Sequence, residues 1–294
     1  MPEGKSVSGP ISPKKSRGGA DLGSIGGLAI AVLGIVGGLT LEGGHLRDVA
    51  QLTAAMIVLG GTIGAVLVSM PFETVRAAIR RVKDVFFNRA PDTAGIIEQL
   101  IGYAAKARKT GLVSLEDEAY KIEDPFLKKA LMLAVDGTDL QEMRKMLELV
   151  IEVEEHHADA EAKVFECAGG YAPTIGIIGA VLGLIQVMKN LADIDEVGHG
   201  IAGAFVATVY GVASANLFFL PIATKIRARF EAEVRRKEIV ILAVSGIIEG
   251  LNPKLISMNL DAYVAPQPGS QKKTGKGTAA TKSASAAPAE ALKA

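Results

Sequence analysis

Two oppositely charged clusters separated by a glycine turn are the residues of this chain best suited to chemistry. Lys106, Arg108 and Lys109 precede Gly111, and Glu116, Asp117 and Glu118 follow it. Cations closing one helix and carboxylates opening the next each complement a helix dipole, which is one complete account of them. Adjacent patches of opposite sign also steer and register a charged partner. The spacing is compatible with both. Thr174, Thr208 and Asn216 are the notable polar groups of two long apolar stretches. A Thr hydroxyl ordinarily bonds its own backbone one turn back, but where helices face a pore it can ligate an ion or water. Pro173 and Pro221 each remove a helical hydrogen bond, so each ends or kinks its helix.

Other reactive residue types form no recognisable constellation. His156 and His157 are adjacent on an acidic helix and do not share a face, whereas a metal-binding pair is spaced three or four apart. His199 reads as an interfacial histidine. A single cysteine, Cys167, excludes an internal disulfide framework and reads as a small buried residue. Gly275-Lys276 lacks the Ser or Thr that completes a phosphate loop. No Ser/His/Asp set or paired carboxylates stand out, so no enzyme activity, cofactor, metal or nucleic-acid partner is expected.

The elements that must position these residues are written in the hydropathy. Leu22–Leu41, Val49–Phe72, Cys167–Met188 and Val197–Thr224 contain no Asp, Glu, Lys or Arg. Each is long enough to cross a bilayer core of about 30 Å as a helix. The expected fold is therefore all-α: a polytopic membrane protein with four spans, a helical cytoplasmic domain and no carboxylate of its own at membrane depth. Lys and Arg flank the spans on one side. Lys14, Lys15 and Arg17 precede the first, Arg76, Arg80, Arg81 and Lys83 follow the second, and Lys225, Arg227 and Arg229 follow the fourth. Both termini are thus expected in the cytoplasm.

The expected organisation is a disordered N-terminus over 1–21, an antiparallel transmembrane hairpin over 22–72 and a helical cytoplasmic domain over 73–166. Spans three and four follow over 167–224, then a cytoplasmic amphipathic helix over 225–264 and a low-complexity tail over 265–294. Gly111 and Asp136-Gly137 mark turns, and Asp139 is the expected N-cap of a long helix running towards the third span. Small residues recur four apart at Gly23/Gly27, Gly34/Gly38, Gly60/Gly64 and Gly179/Gly183, a spacing that lets helix backbones approach closely in lipid.

On these residues the chain resembles the A subunit of flagellar motor stators, the MotA/PomA family. The resemblance rests on Ala172-Pro-Thr-Ile-Gly-Ile-Ile-Gly-Ala-Val-Leu-Gly-Leu184, on Ala207-Thr-Val-Tyr-Gly211 with Ala215-Asn-Leu-Phe-Phe-Leu-Pro221, and on the spacing of Arg108, Gly111 and Glu116. It covers roughly Leu22–Leu260. It implies a homo-oligomeric ring in the bacterial inner membrane around a MotB-like single-span subunit that carries the ion-binding Asp. It further implies that Arg108, Lys109 and Glu116 contact a flagellar rotor (FliG-like) protein, that Pro173 and Pro221 couple ion passage to movement, and that Thr208 lines the ion path beside Thr174 and Ala180. Sodium-type members resemble this chain but carry a Thr where it has Ala180, which points to protons here.

Alternative readings are a TolQ/ExbB-like energiser, a stand-alone channel and a membrane scaffold. The energisers have three helices and lack the leading pair at Leu22–Phe72. A channel acting alone usually needs charged groups of its own at membrane depth. A scaffold would tolerate charge reversal at Arg108 and Glu116.

Overall fold

The computed structural model describes residues 21–87, 93–189, 191–192 and 194–261, and every regular element among them is helical. The expected disordered ends, apart from Asp21, lie outside the described residues, as does Gly275-Lys276. Helix α1, Leu22–Leu41, begins where Asp21 accepts the Gly23 N–H at 3.1 Å. It ends at Gly43, whose φ of 83° only glycine adopts without strain. A short α2 (Leu46–Val49) leads into a second apolar span, Leu52–Ser69, built from α3 (Leu52–Ala55), a π turn (Met56–Gly60) and α4 (Gly61–Ser69). The amphipathic α5 (Phe72–Phe87) follows.

The expected hairpin is not packed as one. No residue in the apolar window of α1 is buried, and α1 packs extensively against no other described helix. Gly34, Gly37 and Gly38 meet nothing within 4 Å. Among the described residues, hydrogen bonds and ion pairs tie α1 down at its foot. Asp21 donates its N–H to the Phe86 carbonyl at 2.9 Å, and its carboxylate pairs with Lys225 and, at 3.6 Å, with Arg229. Chiefly through the Lys225 hydrogen bond, the Asp21 carboxyl is lowered to about 2. Lipid solvates an apolar helix as well as another helix does, so α1 needs no internal partner to be stable in a bilayer.

Beyond α5 the chain forms a helical head from α6 (Thr93–Thr110), a 3₁₀ turn (Leu112–Leu115), α7 (Glu116–Lys121) and α8 (Pro125–Val135). Asp124 caps α8 by accepting the Phe126 and Leu127 N–H groups, with Pro125 in the first helical turn where its missing donor costs nothing. Gly137, at φ 74°, closes α8, and Asp139 opens the next helix by accepting the Gln141 N–H at 2.9 Å, as its sequence position predicts.

That helix, α9, is continuous from Leu140 to Lys189, about 75 Å at 1.5 Å per residue. It passes through Gly169-Gly170 and Pro173 without a break. Gly169 does not stop it, because Leu220 of the neighbouring helix presses against its bare backbone. The fourth span is equally long-bodied: α10 (Ile194–Ser214), a π turn (Ala215–Phe219) and α11 (Leu220–Ile248) run on without a gap. The segment 225–264, expected as one amphipathic helix, is two helices over its described part, 225–261. A Schellman turn at Gly250 ends α11, and α12 (Pro253–Asp261) folds back, because Ile239–Ile247 is buried in the head core and not on a helix surface.

The head core gathers Leu100, Leu131, Leu147, Val244 and Leu260. Replacing a fully buried leucine there should cost about 2–5 kcal/mol through transfer and cavity terms. Denaturation of the detergent-solubilised protein should therefore show Leu147→Ala strongly destabilised. Leu149→Ala, 58% exposed on the same helix, should stay within about 0.5 kcal/mol of native.

Candidate functional site

The candidate site is built on a backbone-to-backbone contact between α9 and α10. A Cβ placed on Gly211 would stand 2.5 Å from the Ala172 carbonyl oxygen and 3.1 Å from Gly176 Cα. One on Gly176 would stand 2.9 Å from the Ala207 oxygen and 3.4 Å from Thr208 Cα. Gly179 meets Ala207, and Gly183 meets Ala204. The facing residues Gly200, Ala204, Ala207 and Gly211 are small at spacings of four, three and four, so one whole helix face is cleared for close approach. Of the small pairs read from sequence, Gly179/Gly183 serves this contact, whereas Gly60 and Gly64 meet nothing within 4 Å.

The crossing sets Thr208, half-buried, directly against Gly176. Its hydroxyl donates to the Ala204 carbonyl at 3.4 Å, and the Thr174 hydroxyl donates to the Tyr171 carbonyl at 2.8 Å. With the proton of each hydroxyl committed to its own helix, only oxygen lone pairs are left to face a cation, a hydronium or water. The two hydroxyls do not bond each other. Ala180 is half-buried and adds no oxygen to this wall. Asn216 is exposed and spends its amide N–H on the Val212 carbonyl at 2.9 Å.

Pro173 and Pro221 lie on touching stretches of helix. Gly169, four residues before Pro173, is packed against Phe219 and Leu220, immediately before Pro221. Pro173 deprives the Gly169 carbonyl of its usual donor. Pro221 follows the π turn Ala215–Phe219, in which the Leu220 N–H reaches back to the Ala215 oxygen. Both disruptions of the helical ladder thus fall at one level of the molecule. No residue type announces a π turn, although Asn216 lies within it and Pro221 just beyond it.

Two tyrosines that sequence reasoning left without a role latch the second span to this pair. Tyr210 donates to the Val49 carbonyl at 2.5 Å and accepts the Gln51 N–H at 3.4 Å, satisfying the polar backbone where α2 gives way to α3. At the opposite end of the span, the Tyr171 and Ser69 hydroxyls share a hydrogen bond of 2.8 Å.

Within the head, Gly111 turns the chain at φ 86° and brings the C-terminus of α6 beside the N-terminus of α7. Lys106 and Glu118 pair at 3.0 Å, and that ammonium holds the Glu118 carboxyl below its usual range. Arg108, Lys109, Glu116 and Asp117 are exposed and form no ion pair among the described residues. Leu115 and Ala119, both fully buried, fix the turn beneath them. The inner charges are consumed by the fold and the outer ones are presented to solvent.

Comparison with known proteins decides the family. Residues 25–111 match the model described as motility protein A N-terminal, and residues 118–239 match the MotA/TolQ/ExbB proton channel family. Motility protein A of Helicobacter pylori is 35% identical over 246 residues, covering 84% of this chain and 96% of that protein. The chain belongs to the motility protein A family. Its fold agrees with the MotAB structure from C. jejuni, at a TM-score of 0.81 and 34% identity over 84% of this chain and 98% of that one. The flagellar MotAB stator complex from Bacillus subtilis gives 0.77 and 32%, over 83% and 96%. Like other motility protein A chains, this one is a membrane protein, with four helices long and apolar enough to span a bilayer.

In this family member the α9–α10 contact should tolerate no side chain at Gly211. Gly211→Leu should sharply reduce the folded protein recovered by size-exclusion chromatography in mild detergent. Overpacking costs about 1–3 kcal/mol, and more where backbone is the obstacle. Gly38→Leu, at a position where a Cβ meets nothing within 4 Å among the described residues, should leave recovery unchanged.

Proposed function

We propose that this chain is the ring-forming A subunit of a flagellar stator in the inner membrane, with both termini in the cytoplasm. Together with a single-span B subunit it converts ion flow into torque on the rotor. The observation that carries the reading is a separation of charge within a motility protein A fold. The spans hold hydroxyls but no carboxylate, while unpaired charges are displayed at the end of the head. An ion-conducting complex then requires a membrane carboxylate from its partner, which matches the MotAB composition of the related structures. Arg108, Lys109 and Glu116 are the rotor-contacting residues, and Pro173 and Pro221 are the coupling residues. The matched N-terminal region at 25–111, with the first span, favours the flagellar branch of the family over TolQ and ExbB.

Thr208 forms the wall past which the ion moves, its proton held by the Ala204 carbonyl and its lone pairs left to accept. The coupling ion is the proton. Ala180 supplies no oxygen where a dehydrated sodium ion would need another ligand, whereas a proton passes on hydronium, water and the partner's carboxylate.

Arg108→Glu or Glu116→Lys should reduce swimming speed severalfold at unchanged membrane abundance, and a matching reversal on the rotor should restore part of it. Full speed with both reversals in one chain would refute the rotor contact. Rotation driven by this chain should cease on collapse of the proton gradient, whatever the external sodium. Rotation that follows sodium and survives that collapse would refute proton coupling.

A further inference from the structure

The most deeply buried charges in the head stand side by side on α11. Lys237 leaves 4% of its side chain exposed and Arg236 leaves 12%. Arg236 Nη1 donates to Asp124 Oδ2, while the other oxygen of that carboxylate caps α8. Lys237 Nζ donates to Glu154 on α9 and lies 5.3 Å from the ring centroid of Phe126, in the first turn of α8. Glu233, one turn earlier on α11, is 3.8 Å from both cations. Consecutive residues of one helix therefore grip α8 by its cap and α9 by its flank.

Stability alone does not explain this choice of residues. Buried ion pairs lose hydration, and apolar groups of similar volume often hold a fold as well or better. Arg236 adds a further penalty, because its Nε is buried without a hydrogen-bond partner. Burial pushes the Asp124 carboxyl up, but Arg236 and two backbone N–H groups outweigh it and hold it below its usual range, so the pair stays charged. What directional, charged hydrogen bonds supply and apolar contacts lack is a fixed register. Here they fix α8 to the two helices that continue as the third and fourth spans. Only α7 separates Asp124 from Glu116.

We infer that Arg236 and Lys237 form the joint through which displacement of α9 and α11 reaches the charged end of the head. They are positioning residues, and the inference rests on the stator reading above.

The test uses cells lacking their own stators, in which this chain and its B subunit are induced while a loaded motor is observed. Each unit that joins raises the speed by one step. Step height reports torque per unit, and step number reports how many units assemble. Asp124→Asn removes the ion pair but keeps the cap, since Asn caps as well as Asp. Lys237→Met replaces the second cation by an apolar chain of similar length. Both should lower step height severalfold with step number retained, and Lys237→Arg, which keeps the charge, should restore native steps. Native step height in Asp124→Asn and Lys237→Met, with steps fewer or equally numerous, would overturn the joint. So would failure of both variants to assemble, which would make the residues purely structural. An absence of steps from the native chain itself would instead refute the stator reading.

Discussion

Everything in this molecule depends on the absence of side chains where α9 crosses α10. Lipid offers helices no hydrophobic reason to associate, so dispersion between closely approaching backbones must hold them. Gly176 and Gly211 allow that approach, and a single Cβ on Gly211 would collide with the Ala172 carbonyl. Once the two helices are joined, Thr208 has a fixed place in their wall. Tyr210 and Tyr171 can then dock the second span onto a rigid pair. Helix α1, which shares none of this packing, is held by its foot.

The same two helices carry the contact out of the membrane. Arg227 on α11 pairs with Glu166 and Asp159 of α9, and these carboxylates raise the already high pKa of its guanidinium. Arg81 fastens α5 alongside through Glu161 at 2.6 Å. Below them the Arg236–Lys237 grip adds α8, and through it the turn that presents Arg108 and Glu116. A continuous path of helix, ion pair and buried core thus links the proline-bearing level at Gly169–Leu220 to the exposed charges. The path has no flexible linker among its described residues, which suits a part that must transmit force.

Much of this was legible in the sequence, and what was missed has a common physical cause. The four spans follow from long stretches without charge, and the long body of α9 follows from a cap at Asp139 with no effective stop after it. The exposed charges follow from their spacing about Gly111, although Lys106 and Glu118 proved to satisfy each other. Patterns confined to one helix were readable, but contacts requiring two were not. Gly60 and Gly64 show the favoured spacing yet meet nothing within 4 Å among the described residues, while Gly176 and Gly211 matter because they face each other. The two helices of the expected hairpin are both present as spans but do not pack closely on each other among the described residues, since proximity in sequence does not supply an interface. The π turn before Pro221 and the Tyr210 latch depend on backbone groups left unpaired by the fold, and the Tyr171 latch on a hydroxyl 102 residues away, which no local side-chain pattern displays.

In the mechanism proposed, ion flow past the spans moves the charged end of the head as one body with α9 and α11. Polarised single-molecule fluorescence from a rigid, two-point dye on α6 of the assembled complex in sealed vesicles reads that motion. Stepwise reorientation of the dye should start when a proton gradient is imposed and stop when an ionophore dissipates it. Proton conduction with the dye held in one fixed orientation would rule the motion out.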